Sequence, residues 1–194
     1  MKNIVVFASG SGTNFQSIID AINRGEINAN ISGLITNKNG IGALKKAEDN
    51  NIPTRVISPE NYITEEDFAN ELSVQLQEWK TDLIALAGYL KKIPSSIIQE
   101  YENCILNIHP SLLPKFGGKG FYGMNVHRAV IEANEKESGC SVHIVTDEFD
   151  QGPIIAQTKV EVKQNDSPQE LAERILKEEH LLYPKAIQKH LKTL

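Results

Sequence analysis

Ile4 to Ala8 is an unbroken apolar run that stops at Ser9-Gly10-Ser11-Gly12-Thr13-Asn14, after which Phe15, Ile18, Ile19 and Ile22 recur at helical spacing. A strand with no polar alternation must be covered on both faces, the condition of a central strand in a parallel sheet. A glycine-rich turn running straight into a helix offers free backbone N–H groups and the positive end of the helix dipole, an arrangement that binds anions. Two common phosphate fingerprints do not fit. A dinucleotide site needs a third glycine where this chain has Phe15, and an acid where Ile31 to Thr36 leads into Asn37. The Gly-Lys-Ser/Thr of a Walker loop is absent. The residues predict a single phosphate monoester held by Gly12, Thr13 and Asn14. The plain alternative is a tight turn in which Thr13 or Asn14 caps the helix.

The pattern then repeats. Ile31 to Thr36 reads as a strand, Ile41 to Asn50 as a helix and Ile52 to Ile57 as a short strand. Thr64 is placed to cap a helix whose stripe is Phe68, Leu72, Leu76 and Trp79, with Asp67 near its third position. Leu83-Ile84-Ala85-Leu86 is another buried strand, followed by the loop Gly88 to Pro94 and a short helix from Pro94 to Glu100. Strands alternating with helices through short connections specify a doubly wound, Rossmann-like α/β fold with a mainly parallel sheet. Right-handed crossovers then gather the loops after the first, fourth and fifth strands on one edge. The last third differs. Cys140 to Val145 and Ile154 to Val162 flank the acidic turn Thr146 to Pro153 and predict an antiparallel C-terminal part. Asp166-Ser167 opens a final helix that packs through Leu171, Ile175 and Leu176, with Glu178-Glu179-His180 near its end. We expect one domain over 1–194, with a phosphate-binding half to about 103 and a second half from about 104.

The fifth strand carries the chemistry. Side chains alternate along a strand, so Asn107 and His109 share a face while Leu106 and Ile108 point into packing. Pro110 ends the ladder and keeps His109 extended, which presents an amide and an imidazole at the C-terminal end of a strand. Ligands bind at that edge in open α/β sheets. His143 follows on a later strand, with structural and supporting roles equally open. Gly117 to Gly123 holds four glycines in seven positions, the composition of a lid or a linker.

A formal charge of −5 disfavours general nucleic-acid binding. Cys104 and Cys140 read as buried thiols of a reducing compartment, too far apart for zinc-ligand spacing, so no metal is expected. No signal peptide and no membrane span are legible, and a cytoplasmic location is expected. The chain's oligomeric state is left as monomer or homodimer.

Taken together, the Ser9 to Asn14 loop, Leu86-Ala87-Gly88-Tyr89, Asn107-Ile108-His109-Pro110-Ser111-Leu112-Leu113-Pro114, and Ser141-Val142-His143 leading to Asp147 and Asp150-Gln151-Gly152-Pro153 resemble the formyltetrahydrofolate-dependent formyltransferases nearly end to end. The resemblance implies formyl transfer from 10-formyltetrahydrofolate, a co-substrate, to an amine. The phosphate loop points to the branch that acts on 5'-phosphoribosylglycinamide in purine biosynthesis. It implies Asn107, His109 and Asp150 as the catalytic trio, Glu179 beside Gly12, Thr13 and Asn14 on the acceptor, and Leu90, Lys91, Lys92, Ile93, Asn107 and Asp147 on the folate. Where shorter members carry an arginine facing the folate tail, this chain has Glu65, with Lys91 or Lys92 as the replacement cation. The Gly117–Asn125 stretch is also longer and richer in glycine.

The chemistry of amine formylation sets what such a trio does. Asn107 donates an N–H to the developing oxyanion, and a protonated His109 donates a charge-assisted bond to the same oxygen. Asp150 is expected to raise the histidine pKa and to pass the proton between nitrogens.

Overall fold

The computed structural model describes residues 1–194 as one seven-stranded sheet in the order β3-β2-β1-β4-β5-β6-β7. The strands are β1 (Lys2–Ala8), β2 (Ala29–Thr36), β3 (Thr54–Val56), β4 (Leu83–Leu86), β5 (Ile105–His109), β6 (Glu137–Ile144) and β7 (Ile154–Glu161). β1 to β5 pair in parallel, β6 pairs antiparallel with β5 and β7 antiparallel with β6, as the two halves of the sequence predicted. The helices are α1 (Thr13–Asn23), α2 (Gly42–Asp49), α3 (Glu65–Glu78), α4 (Ser95–Glu100), α5 (Met124–Glu132) and α6 (Pro168–Leu191).

Alternation along β1 explains the unbroken apolar run. Ile4, Val6 and Ala8 enter one core with α1, α2, α5 and α6, while Val5 and Phe7 enter a second core with α3 and α4. Both faces of the central strands are therefore dry. Trp79 closes α3 against Gly33 of β2, where a Cβ would collide with the indole ring.

Helix starts follow the sequence signals. Thr64 caps α3 by accepting from the Asp67 N–H at 3.1 Å, and the acids Glu65, Glu66 and Asp67 sit in the first turn, where the dipole favours them. Ser167 and Glu170 form a capping box on α6.

The end of α6 is a correction. The sequence suggested a helix ending near His180, with Tyr183-Pro184 and a tail beyond it, yet α6 continues through Pro184 to Leu191. An internal proline costs a backbone hydrogen bond. Here Ala186, Ile187 and Leu191 beyond it are buried in the first core, which outweighs that loss. The buried stripe advances in steps of four, Leu171, Ile175, Glu179, Tyr183, Ile187 and Leu191, and one member is a carboxylic acid. No helix is long and apolar enough to cross a membrane.

Candidate active site

The ladder between β5 and β6 assembles the site. Asn107 lies directly across from His143, and His109 from Ser141, so their side chains share a face. His143 thereby becomes a direct neighbour of the amide, which spacing within its own strand did not show. Its Nδ1 lies 2.9 Å from the Ile144 carbonyl, an acceptor, which assigns the proton to that nitrogen. Its Nε2 is then free to accept from Asn107 Nδ2 at 3.0 Å. The second amide hydrogen of Asn107 reaches Asp150 Oδ1 at 3.5 Å, a long contact that a ligand oxygen can replace.

Ser141 holds the turn after His109. Its hydroxyl donates to the Ser111 carbonyl at 2.6 Å and accepts from the Leu113 N–H at 3.1 Å, which makes the Pro110–Pro114 stretch rigid.

Asp150 arrives from the β6–β7 connection with a left-handed backbone, φ 57°, a conformation a non-glycine residue adopts only at a cost. Its carboxylate stands 3.6 Å from His109 Nδ1 and 3.4 Å from His143 Nε2, and it accepts from the Gly118 N–H at 2.9 Å. Burial opposes the charge, but the Gly118 N–H, and His109 whenever it carries a proton, hold the acid below the usual carboxylate range. Asp150 is ionised at neutral pH.

His109 departs from expectation in two ways. Burial pushes its pKa down, and this outweighs the upward pull of Asp150 and of the Phe116 carbonyl. The imidazole is neutral in the free protein rather than protonated. Its Nε2 also lies 2.8 Å from the Phe116 carbonyl, which takes the ring's one N–H. The start of the glycine-rich loop thus occupies the His109 donor through Phe116 and an Asp150 acceptor through Gly118.

These groups line a cavity of about 300 Å³. Leu90, Lys91, Lys92 and Ile93 form one wall, Gly118 to Gly123 another, and Val145 to Asp150 a third, which brings every residue expected at the folate into one pocket. Lys91 gives its ammonium to Glu60, which also accepts from Ser58. Lys91, Lys92 and Glu65 also line an adjoining groove.

The remaining predicted residues form a second group, reached from the same edge. Ser9 links the two, its N–H bonded to Gly88 O at 3.1 Å and its hydroxyl accepting from the Leu90 N–H at 3.0 Å. Helix α1 is capped by Gly12 at φ 72° with no side-chain cap, so neither Thr13 nor Asn14 plays that part and the first-turn N–H groups keep no side-chain partner. A side chain at Gly12 would meet the Ala43 backbone and Cβ at 2.8 Å, so packing against α2 requires glycine there as much as any ligand does. Asn14 donates to Glu179 Oε2 at 2.6 Å across α1 and α6, and its own Oδ1 is buried without a partner. Burial pushes the Glu179 carboxyl up to about 7, against the pull of Asn14. The signal for Glu179 was present in the sequence: it is the one acid in the four-residue stripe of α6.

A neutral imidazole, an ionised acid and an amide thus surround one pocket, beside an uncapped helix start. A sequence model of the formyl transferase family covers residues 2–187. The chain belongs to the formyl transferase family. It is 43% identical over 187 residues to the chloroplastic phosphoribosylglycinamide formyltransferase of Arabidopsis thaliana, covering 96% of this chain and 64% of that one. It is 40% identical to the phosphoribosylglycinamide formyltransferase of Haemophilus influenzae, covering 86% of that protein. The crystal structure of glycinamide ribonucleotide transformylase 1 from Symbiobacterium toebii superposes with a TM-score of 0.93 at 37% identity, over all of this chain and 89% of that one. The chain thus spans under two thirds of the plant relative and most of the bacterial ones. Formyl transferase membership accounts for the doubly wound sheet.

Proposed function

We propose that this chain transfers the formyl group of 10-formyltetrahydrofolate to the amine of 5'-phosphoribosylglycinamide. The observation that carries the reading is Asp150, charged and within 3.6 Å of Asn107, His109 and His143 on the wall of the cavity. The folate sits in that cavity against Leu90, Lys91, Lys92, Ile93 and Asp147. The acceptor phosphate takes the free N–H groups of Gly12, Thr13 and Asn14, and Glu179 binds the glycinamide part.

The amine nitrogen attacks the formyl carbon, a C–N bond forms and the carbonyl oxygen gains charge. Asn107 gives that oxygen the hydrogen it spends on the long contact to Asp150. His109 gives its Nε2–H once the Phe116 carbonyl releases it. Asp150 accepts the proton of the attacking nitrogen, directly or through one water, and returns it to N10 of the folate as the old C–N bond breaks. No covalent adduct with the protein is needed, and the products are tetrahydrofolate and the formylated amine. One oxyanion donor is worth ~10²–10³ in turnover.

Two measurements check this. Absorbance at the tetrahydrofolate band should rise only when the ribonucleotide acceptor is present. An equal rise without it identifies a hydrolase, and no rise in either case identifies a binding domain. Hydrogen exchange at Gly117–Gly123 should be fast in the free protein, except at the hydrogen-bonded Gly118 and Phe121 amides, and should slow when both substrates are bound. Full protection of the segment in the free protein would make it a fixed turn rather than a lid.

A further inference from the structure

Tyr183 is fully buried, and its hydroxyl lies 3.0 Å from two backbone carbonyls, Leu86 O and Leu106 O. One O–H proton serves two acceptors on neighbouring strands. Their position matters. The parallel ladder between β4 and β5 stops at the pair Leu86↔Asn107. Beyond it β4 turns into the Gly88–Ile93 wall of the cavity, while β5 runs on to His109 beside β6 alone. The hydroxyl sits where the two strands part, at the root of the cleft.

Each carbonyl belongs to a peptide with a functional continuation. The Leu106 carbonyl shares its peptide plane with the nitrogen of Asn107, and the Leu86 carbonyl leads through Ala87 to the cavity wall. The helix that supplies the hydroxyl also supplies Glu179 one turn earlier, about 6 Å along its axis. Seven residues after Tyr183, His190 Nε2 meets the Asn103 carbonyl at 2.7 Å, just before β5 begins. These two contacts lay α6 antiparallel along β5 and place Glu179 towards the edge that holds Asn107 and His109.

We propose that Tyr183 is a positioning residue for formyl transfer, its hydroxyl setting the placement of Asn107 relative to the cavity wall and to Glu179. The inference rests on the function proposed above. Burial keeps the phenol protonated far beyond neutral pH, so the tie is present whenever the enzyme works. Transfer between two bound substrates is sensitive to such placement, since an error of about 1 Å can cost ~10² in rate.

Tyr183→Phe keeps the ring and removes the tie. We expect kcat to fall about tenfold, with the KM of each substrate within about twofold of wild type. In an Asn107→Ala background the same change should produce no further loss, because the group being positioned is gone. Unchanged kcat, a loss that adds to that of Asn107→Ala, or a parallel rise in both KM values would overturn the proposal and leave Tyr183 a packing residue. If Tyr183→Phe does not fold, p-aminophenylalanine at position 183, a weaker donor in the same place, takes the same two tests. There the expected loss is about threefold, again absent beside Asn107→Ala, and an unchanged kcat overturns the proposal. A wild-type protein that transfers no formyl group overturns the functional reading itself, a result distinct from all of these.

Discussion

Asp150→Asn is expected to lower kcat by at least ~10², while acceptor KM stays within a few-fold. The substitution is close to isosteric, and asparagine tolerates the left-handed backbone that position 150 requires. The amide oxygen can still accept from Gly118, so the loop contact survives. What disappears is the charge between His109 and His143, and with it the base that receives the amine proton. The pH profile gives a second reading. Asp150 raises the His109 pKa against a larger downward push from burial, so removing it should carry the His109 pKa still lower. A limb of the profile governed by that imidazole moves to lower pH, as a property of the coupled pair rather than of one residue. Asp147→Asn is the control. Asp147 is exposed on the same loop and lines the cavity without touching the histidines, so its loss should change kcat by no more than about threefold. A larger effect at Asp147 than at Asp150 would reassign the acid.

Glu179→Gln is the second large effect, and it moves stability and binding in opposite directions. The carboxyl has an ordinary pKa near 4.5 in the unfolded chain and one of about 7 when folded, because burial disfavours its charge. Between those values the folded state holds a proton that the unfolded state has released. Stability therefore falls as pH rises from about 4.5 to 7, and the loss is complete above about 7. At about 1.4 kcal/mol per unit this amounts to roughly 3 kcal/mol as an upper bound. Glutamine mimics the protonated form, so the variant should melt higher than wild type at pH 8, by up to ~5–10 °C, with the gap closing below pH 6. Acceptor binding should respond the other way. An ionised carboxylate accepts from substrate N–H and O–H groups with both oxygens, whereas an amide has one acceptor oxygen. We expect the acceptor KM of Glu179→Gln to rise at least about tenfold at pH 8, and the wild-type acceptor KM to fall as pH rises through 7. Thermal melts at pH 5 and 8 with acceptor titrations at both values check the two signs. A variant less stable than wild type at pH 8 would show that the buried Glu179 is ionised, and an unchanged acceptor KM would show that it does not bind the acceptor.

The strands and most helix starts were legible in the chain because each depends on residues a few positions apart. Ile4 to Ala8 is apolar at every position because both sheet faces are covered. Thr64 and Ser167 cap their helices through atoms three residues away. Asn107 and His109 stood out because strand alternation and Pro110 are local facts, and the family resemblance supplied the partners that local facts do not contain. Where a local rule met a tertiary one, the tertiary one prevailed. Pro184 reads as a stop, but the apolar stripe beyond it had a core to enter, so α6 runs on.

What the tertiary structure alone decided is which distant atoms meet and what charge they carry. His143 faces Asn107 because of the register between β5 and β6, and a slip of one residue would have turned it to the other side of the sheet. Asn14 and Glu179 are 165 residues apart in the chain, and the packing of α1 on α6 makes them a buried pair. The protonation of His109 followed the same logic. A neighbouring acid suggested an imidazolium, yet the depth of the site makes the ring neutral, because desolvation acts on the whole charge while Asp150 stands 3.6 Å away. Periodicity and caps are written in neighbouring residues, whereas register, burial and the field at a buried nitrogen exist only once the chain has closed on itself.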